Sequence, residues 1–283
     1  MNGVFYVATG DKLRAGALKS VKSLKQHLPH IHTTLFSDQP CGAGLFDRNI
    51  IIPNPKMTNQ DKVECFQLVD YEKAIFLDTD TFVAGDISDL FGLLDHFDFA
   101  AAMDQSRGYW YREWSLPDGF PEVNSGVVAF RNSSKTKKLF AEWLTFFEES
   151  KDWQRWHEFA YGRCKAFDQP GLRRALFQAK DIRMAVLPTE YNALRTHGTY
   201  LWAKVKIVHG RGNIDAVAGR MNRIYDQGRS FHQGLGVIAD FGQIPFARVL
   251  ETIFRVNACA LLDVRDRMKK MVKRWIQKGQ GKS

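Results

Sequence analysis

The 283-residue chain has no apolar run of about 18 residues, so no transmembrane helix is expected. Its first residues, Met1-Asn2-Gly3-Val4-Phe5-Tyr6-Val7, lack the charged head, long apolar centre and small-residue cleavage site of a secretory leader. Cysteine is scarce. Cys41, Cys65, Cys164 and Cys259 stand far apart, without the pairing that a metal site would need. Scattered thiols in a chain without a secretion signal point to a reducing, cytoplasmic setting. There is no internal repeat and no low-complexity linker. Acid is scarce in one stretch: between Arg265 and Lys282, eight Lys or Arg meet one Asp, so this tail carries seven of the nine net positive charges. The body is close to neutral, which weighs against a general nucleic-acid-binding surface, and no nucleic-acid partner is expected.

What the chain does have is a normal hydrophobic fraction of 45% and a high aromatic fraction of 13%, with 21 Phe, 8 Tyr and 7 Trp. That suits a dense core, and a site that stacks on flat ligands. The length allows one large α/β domain or two small ones. Val4 to Ala8 reads as a strand closed by Thr9-Gly10-Asp11. Leu13, Ala17, Val21, Leu24 and Leu28 follow at helical spacing, with lysines on the other faces, up to Pro29. Strands are expected at Thr33–Phe36 and Ile50–Ile52, a helix over Asp61–Val69, and strands again over 74–77, 98–102 and 126–130. A helical stripe runs from Leu139 to Phe147, a helix from Gln169 to Gln178, and late strands over Met184–Leu187 and Val205–Val208. This alternation predicts parallel βαβ units, which bind ligands outside the carboxyl ends of their strands. One domain over 1–245 with a helical appendage over 246–283 is the simplest organisation.

The decisive segment is Phe76-Leu77-Asp78-Thr79-Asp80-Thr81. Desolvating a carboxylate is costly, so a buried strand would not hold two unpaired aspartates. They belong at the strand's end, in an open cleft. Two carboxylates there suit a hard divalent cation that bridges to phosphate oxygens, which points to chemistry on a nucleotide diphosphate.

Taken in order, Tyr6-Val7-Ala8-Thr9-Gly10, Lys62, the Asp78-Thr79-Asp80 segment, Asn124-Ser125-Gly126-Val127, Asp168-Gln169 and His209-Gly210 resemble the GT-A-fold glycosyltransferases. The nearest group is family 8, the glycogenin-like and lipopolysaccharide galactosyl- or glucosyltransferase-like enzymes. An isolated Asp-x-Asp is a weak signal; ordered matches over residues 1 to about 212 are a strong one. The resemblance implies an α/β fold with a mainly parallel sheet, a nucleotide-sugar donor that is usually UDP-linked, a glycan or other hydroxyl acceptor, and retention of anomeric configuration. Asp78, Asp80 and His209 would hold Mn²⁺, with Mg²⁺ as the alternative. Ala8 and Thr9 would lie against the base and ribose, and Thr79 and Lys62 near the donor. Asp104, Asn124, Ser125, Asp168 and Gln169 would surround the transferred sugar, with Asp104, Asp168 and Gln169 as the candidate catalytic side chains.

One departure stands out. Family members often follow this histidine with Gly, then Lys-Pro-Trp, whereas here the chain reads His209-Gly210-Arg211-Gly212-Asn213-Ile214-Asp215. The lysine that would touch the diphosphate is missing, and Arg211 or Arg220 is expected to supply its charge, since guanidinium binds phosphate in a bidentate way.

The chemistry accounts for these residue types. Breaking the anomeric bond gives the sugar oxocarbenium character and leaves negative charge on the diphosphate. A divalent metal stabilises that charge as a Lewis acid, and a mixed oxygen and imidazole ligand set suits Mn²⁺. Other readings stay open at this stage. Asp168 followed by Gln169-Pro170 also suits a helix N-cap. Asn124-Ser125-Gly126 also suits a turn that opens a strand. Lys62 also suits a solvated helix face. The aromatic loop with Tyr109, Trp110, Tyr111 and Trp114 suits either a lid or an acceptor-stacking surface. The tail over 264–283 suits either an amphipathic helix on anionic lipid, with a lipid-linked glycan acceptor at the inner membrane face, or a helix packed on the body. The rival functions are a haloacid-dehalogenase-like phosphatase that uses Asp78 as nucleophile and Asp80 as acid and base, and a non-catalytic nucleotide-sugar-binding protein.

Overall fold

A computed structural model describes residues 1–105, 115–161, 167–223, 225, 226, 228–232 and 236–239, with side chains described outside 151–161 and 236–239. In chain order the elements are β1 (Asn2–Ala8), α1 (Asp11–His27), β2 (His32–Ser37), β3 (Arg48–Ile51), α2 (Asn59–Phe66), β4 (Lys73–Leu77), β5 (Thr81–Val83), α3 (Asp89–Leu93), β6 (Phe99–Met103) and β7 (Val123–Arg131). Then come α4 (Ser134–Tyr161), α5 (Gln169–Gln178), β8 (Met184–Leu187), a 3-10 turn (Thr189–Tyr191), β9 (Ala193–Leu194), β10 (Thr199–Leu201), β11 (Ile207–His209), α6 (Ile214–Met221), β12 (Arg229–His232) and β13 (Gly236–Ala239).

Seven strands form the main sheet in the order β3-β2-β1-β4-β7-β6-β8. Strands β3, β2, β1 and β4 run parallel, and β6 is parallel to β8. Strand β7 runs antiparallel to both of its neighbours. The sheet is buried on both faces, which is why its strands read as unbroken apolar runs rather than alternating ones. Alternate residues of one strand feed opposite cores. Phe5, Phe76, Val128 and Phe130 pack with Phe66, Phe140 and Trp143 of α2 and α4. Val4, Tyr6, Ile75, Leu77 and Val127 pack with Ala17, Val21 and Leu24 of α1 and with Leu90 of α3.

A smaller sheet, β5-β11-β9, stands beyond the end of β4, and an antiparallel β10-β12-β13 sheet shares a hydrophobic cluster with it through Val208, Leu201 and Phe231. The expected α5 and β8 match the observed ones residue for residue. Several expected bounds are corrected. The helix expected over Asp61–Val69 is α2, which runs from Asn59 to Phe66. The strand expected over 126–130 is β7, which starts at Val123, so Asn124, Ser125 and Gly126 lie inside it and the alternative of a turn that opens it falls away. The late strand starts at Ile207 and not at Val205, because the Val205 amide donates to Asn222 Oδ1 at 2.7 Å instead of to a strand. The aromatic loop and the basic tail, with Trp153, Trp156 and Tyr161, fall outside the described residues or side chains. Among the described residues, no helix is long and apolar enough to cross a membrane.

Candidate active site

Asp78 follows the last residue of β4, and Asp80 precedes the first residue of β5. The tight link between these strands is pinned at both ends. The Asp78 amide donates to the Gly126 carbonyl at 2.8 Å, and the Gly210 amide donates to the Asp80 carbonyl at 2.9 Å. The Thr81 hydroxyl donates to the Asp78 carbonyl at 2.7 Å. Helix α1 passes directly beneath. A Cβ at Gly16 would stand 2.6 Å from the Thr79 carbonyl oxygen, so only glycine lets the helix approach this closely. Register carries Ala8, the last residue of β1, and Thr9 after it to the same edge of the sheet, since Phe5 is level with Phe76.

Antiparallel pairing of β11 with β5 sets His209 opposite Thr81. Its Nε2 lies 3.2 Å from Asp80 Oδ1 and 3.8 Å from Asp78 Oδ2. One ligand atom from each of Asp78, Asp80 and His209 falls within 4.8 Å of the others. The imidazole packs over Gly126, where a Cβ would stand 2.1 Å from His209 Cε1.

The electrostatics are uneven. Burial pushes the Asp78 carboxyl above its ordinary range, aided by the charges of Asp80 and Asp168 and only partly opposed by Lys62 and His209. Burial acts on Asp80 too, but the hydrogen bond and charge of His209, with the charge of Arg211, outweigh it and hold Asp80 at about 2. Burial lowers His209, yet the hydrogen bond and charge of Asp80, together with Asp78, carry it above its ordinary value. The site therefore holds one firmly ionised carboxylate beside another whose charge is poorly compensated. A divalent cation would supply that compensation, and two carboxylate oxygens with one imidazole nitrogen form a donor set that fits it.

Lys62 is 7% exposed, so it is not on a solvated helix face. Its Nζ lies 2.9 Å from Asp168 Oδ2 and 3.2 Å from Asp78 Oδ1, and donates to Ser125 Oγ at 3.1 Å. Burial lowers its pKa, but Asp168 and Asp78 more than offset this and raise it. Asp168 makes no side-chain cap at α5, because its carboxylate is turned to Lys62. Gln169 Nε2 donates to Asp104 Oδ2 at 3.0 Å and to Glu122 Oε1 at 3.1 Å, and Asn124 Nδ2 donates to Asp104 Oδ2 at 3.0 Å.

The structure thus brings Lys62, Asp78, Asp80, Asp104, Asn124, Ser125, Asp168, Gln169 and His209 into one contiguous cluster. Ala8 and Thr9 stand at its edge. The Ala8 side chain is buried in the core, which leaves only its backbone for a ligand, and the Thr9 hydroxyl donates to Asp61 Oδ2 at 3.0 Å. Arg211 is exposed on the loop after His209. The Arg220 guanidinium lies over the Phe231 ring, 5.4 Å from its centroid.

Four residues absent from the sequence reading belong to the cluster. Glu122 bridges Gln169 to the buried Arg173, whose Nε lies 3.3 Å from Glu122 Oε2. Asn192 contacts both His209 and Asn124. The Arg195 side chain packs against Gly210 and Gly212, next to Arg211. None of these four lies in a motif; Glu122, Arg173 and Asn192 are marked only by their burial among polar groups, and Arg195 only by its packing on the loop after His209.

The chain matches the family model for nucleotide-diphospho-sugar transferases over residues 69–223. It is 31% identical over 163 residues to Glycogenin-2 of Homo sapiens, a match that covers 54% of this chain and 26% of that protein. In fold it is similar to the galactosyltransferase LgtC solved with donor and acceptor sugar analogs, at a TM-score of 0.50 and 15% identity over 75% of this chain and 88% of that one. It is also similar to the bifunctional glycosyltransferase WbbM, at a TM-score of 0.50 and 13% identity over 75% of this chain and 46% of that one. Both likenesses support the GT-A fold. The family match covers more than half of the chain, takes in both acids and the histidine, and sets the phosphatase reading aside: the protein belongs to the nucleotide-diphospho-sugar transferase family.

Proposed function

We propose that the protein is a divalent-metal-dependent glycosyltransferase that moves a sugar from a UDP-linked donor to a glycan hydroxyl with retention of configuration. The observation that carries this reading is the meeting of two clusters: Lys62 ties Asp78 to Asp168 and Ser125, the chain neighbours of Gln169 and Asn124, and Asn192 bonds both His209 and Asn124. One half suits a diphosphate and the other a polyhydroxylated ring, side by side at the carboxyl ends of β1 and β4.

In this reading Asp78, Asp80 and His209 would hold Mn²⁺, whose charge would offset that of the diphosphate. Lys62 keeps Asp78 and Asp168 in place and lends positive charge to the donor. Arg211 adds charge near the diphosphate, where the family's lysine is missing. Asp104, Asn124, Asp168 and Gln169 hold the sugar hydroxyls and fix the orientation of the reacting carbon. Ser125 binds alongside through Lys62. Ala8, Thr9 and Thr79 border the nucleotide. The basic segment 264–283 contacts anionic lipid at the cytoplasmic face, where a lipid-linked glycan is the acceptor.

The test is donor hydrolysis across a panel of nucleotide sugars, with and without Mn²⁺, beside a thermal-shift series on the same panel. Turnover of one UDP-sugar that depends on Mn²⁺ and is lost in Asp80→Asn is the expected result. Binding of donor and metal with neither hydrolysis nor transfer would identify a non-catalytic binding protein instead.

A further inference from the structure

A directional hydrogen-bond chain runs from the buried acids to the imidazole of His209. It starts at Asp104, where one carboxylate oxygen receives both Gln169 Nε2 and Asn124 Nδ2. With its NH₂ group committed to that oxygen, Asn124 turns its Oδ1 the other way. There Oδ1 accepts from the Gly126 amide at 2.9 Å and from Asn192 Nδ2 at 2.9 Å. Asn192 has then committed its own NH₂ group, and its Oδ1 faces His209 Nδ1 at 3.0 Å. An amide oxygen only accepts, so the hydrogen at this contact sits on His209 Nδ1.

No other orientation satisfies the chain. Flipping Asn192 would set two amide oxygens 2.9 Å apart. Flipping Asn124 as well would press an oxygen against the Asp104 carboxylate and an NH₂ group against the Gly126 amide hydrogen. The consequence falls on the far ring nitrogen, because the hydrogen bond made by one imidazole nitrogen decides what the other can do. Nε2 lies 3.2 Å from Asp80 Oδ1. Without an acceptor at Nδ1, a neutral imidazole would place its hydrogen on Nε2 and donate it to Asp80, closing the site to a cation.

We propose that Asn192 is a positioning residue: it holds neutral His209 as the Nδ1–H tautomer, so that Nε2 offers its lone pair beside Asp78 and Asp80. This rests on the metal-site reading of Asp78, Asp80 and His209. Asn192 is fully buried and touches neither carboxylate of that site in the hydrogen bonds described, so it acts through the imidazole. The chain also ties the metal-binding histidine to Asn124 and Asp104, so cation site and sugar site share one set of amide orientations.

The test measures Mn²⁺ affinity by electron paramagnetic resonance of the free ion, in the full chain without donor, and records the histidine ¹⁵N spectrum of the metal-free protein. Asn192→Leu, which keeps the bulk and removes the acceptor, is expected to weaken Mn²⁺ binding about 10- to 100-fold. The neutral His209 signal, assigned by its loss in His209→Ala, is expected as Nδ1–H in the native protein. An Nε2–H signal there overturns the proposal, and this measurement decides even if Asn192→Leu does not fold. Native affinity in a folded Asn192→Leu overturns it equally. Unchanged Mn²⁺ affinity in His209→Ala would instead overturn the metal-site reading on which the proposal rests.

Discussion

Lys62 is the residue on which the two halves of the site depend. It is buried between Asp78, Asp168 and Ser125, so removing its charge leaves two acids without their cation. Breaking a buried ion pair by deleting one partner costs about 3–5 kcal/mol. Lys62→Met is therefore expected to lower the metal-free protein's stability by about that much, and Mn²⁺ should restore part of it by compensating Asp78. Denaturant titration with and without Mn²⁺ measures both. The titration of His209 gives a second prediction at this scale. Its folded pKa lies above the ordinary value of 6.5, raised by Asp80 and Asp78 against burial, and a protonated imidazole cannot ligate. Mn²⁺ affinity should be full well above that raised pKa and fall as pH drops through it. A pH series of Mn²⁺ titrations reads this, and the dependence should flatten in His209→Ala. The charged members of the site were legible as residues because acids, a lysine and a histidine at motif positions carry their chemistry in their names. Asn192, Glu122 and Arg195 were not, because nothing about an amide in Tyr191-Asn192-Ala193 says that it faces a histidine seventeen residues on.

At the scale of elements, β7 does more than pair β4 with β6. Its Gly126 makes room for the His209 ring and offers the carbonyl that fixes Asp78. Gly126→Ala should keep the fold, since a strand tolerates alanine, yet displace the imidazole and weaken Mn²⁺ binding about tenfold or more; isothermal titration against a native circular dichroism spectrum checks both. Asp98 plays a structural part at the other end of the sheet. It is 2% exposed, accepts from Arg131 Nη2 at 2.9 Å and from the Arg183 amide at 3.0 Å, and so ties β6 to the ends of β7 and β8. Burial pushes its carboxyl up, but the Arg131 bond and the Arg183 amide prevail and hold it below the ordinary 3.8. A lowered folded pKa means stability that is present above about 3.8 and lost as pH falls through the lower folded value. Asp98→Ala should cost about 1–3 kcal/mol at neutral pH, with the gap to the native protein closing in acid. Chemical denaturation at pH 7 and pH 3 tests the sign. Helix α5 and strand β8 were readable to the residue because Asp-Gln-Pro opens one, and Arg183 and Pro188 bound the other. The span of β7 was not, because Asn124-Ser125-Gly126 carries turn chemistry, and only the cross-strand register with β4 and β6 overrides that local preference.

At the scale of the whole molecule, the near-neutral body and the basic tail are expected to separate by function. Deleting 264–283 should preserve Mn²⁺-dependent donor hydrolysis and reduce sedimentation with anionic vesicles, an effect that rises as salt is lowered. Equal vesicle binding by the shortened chain would remove the lipid role of the tail. By itself the sequence determined the α/β alternation, the edge of the sheet at which acids collect, and the family, because apolar periodicity and the order of short motifs are local properties that survive without coordinates. Only the tertiary structure decided which polar groups meet. Five separate segments supply the hydrogen-bond chain from Asp104 and Gln169 through Asn124 and Asn192 to His209, and they converge only after β6, β7, α5 and the two small strands β9 and β11 have packed. The direction of a hydrogen bond depends on which donor faces which acceptor, so the protonation state of a histidine nitrogen is a property of the folded arrangement rather than of any motif.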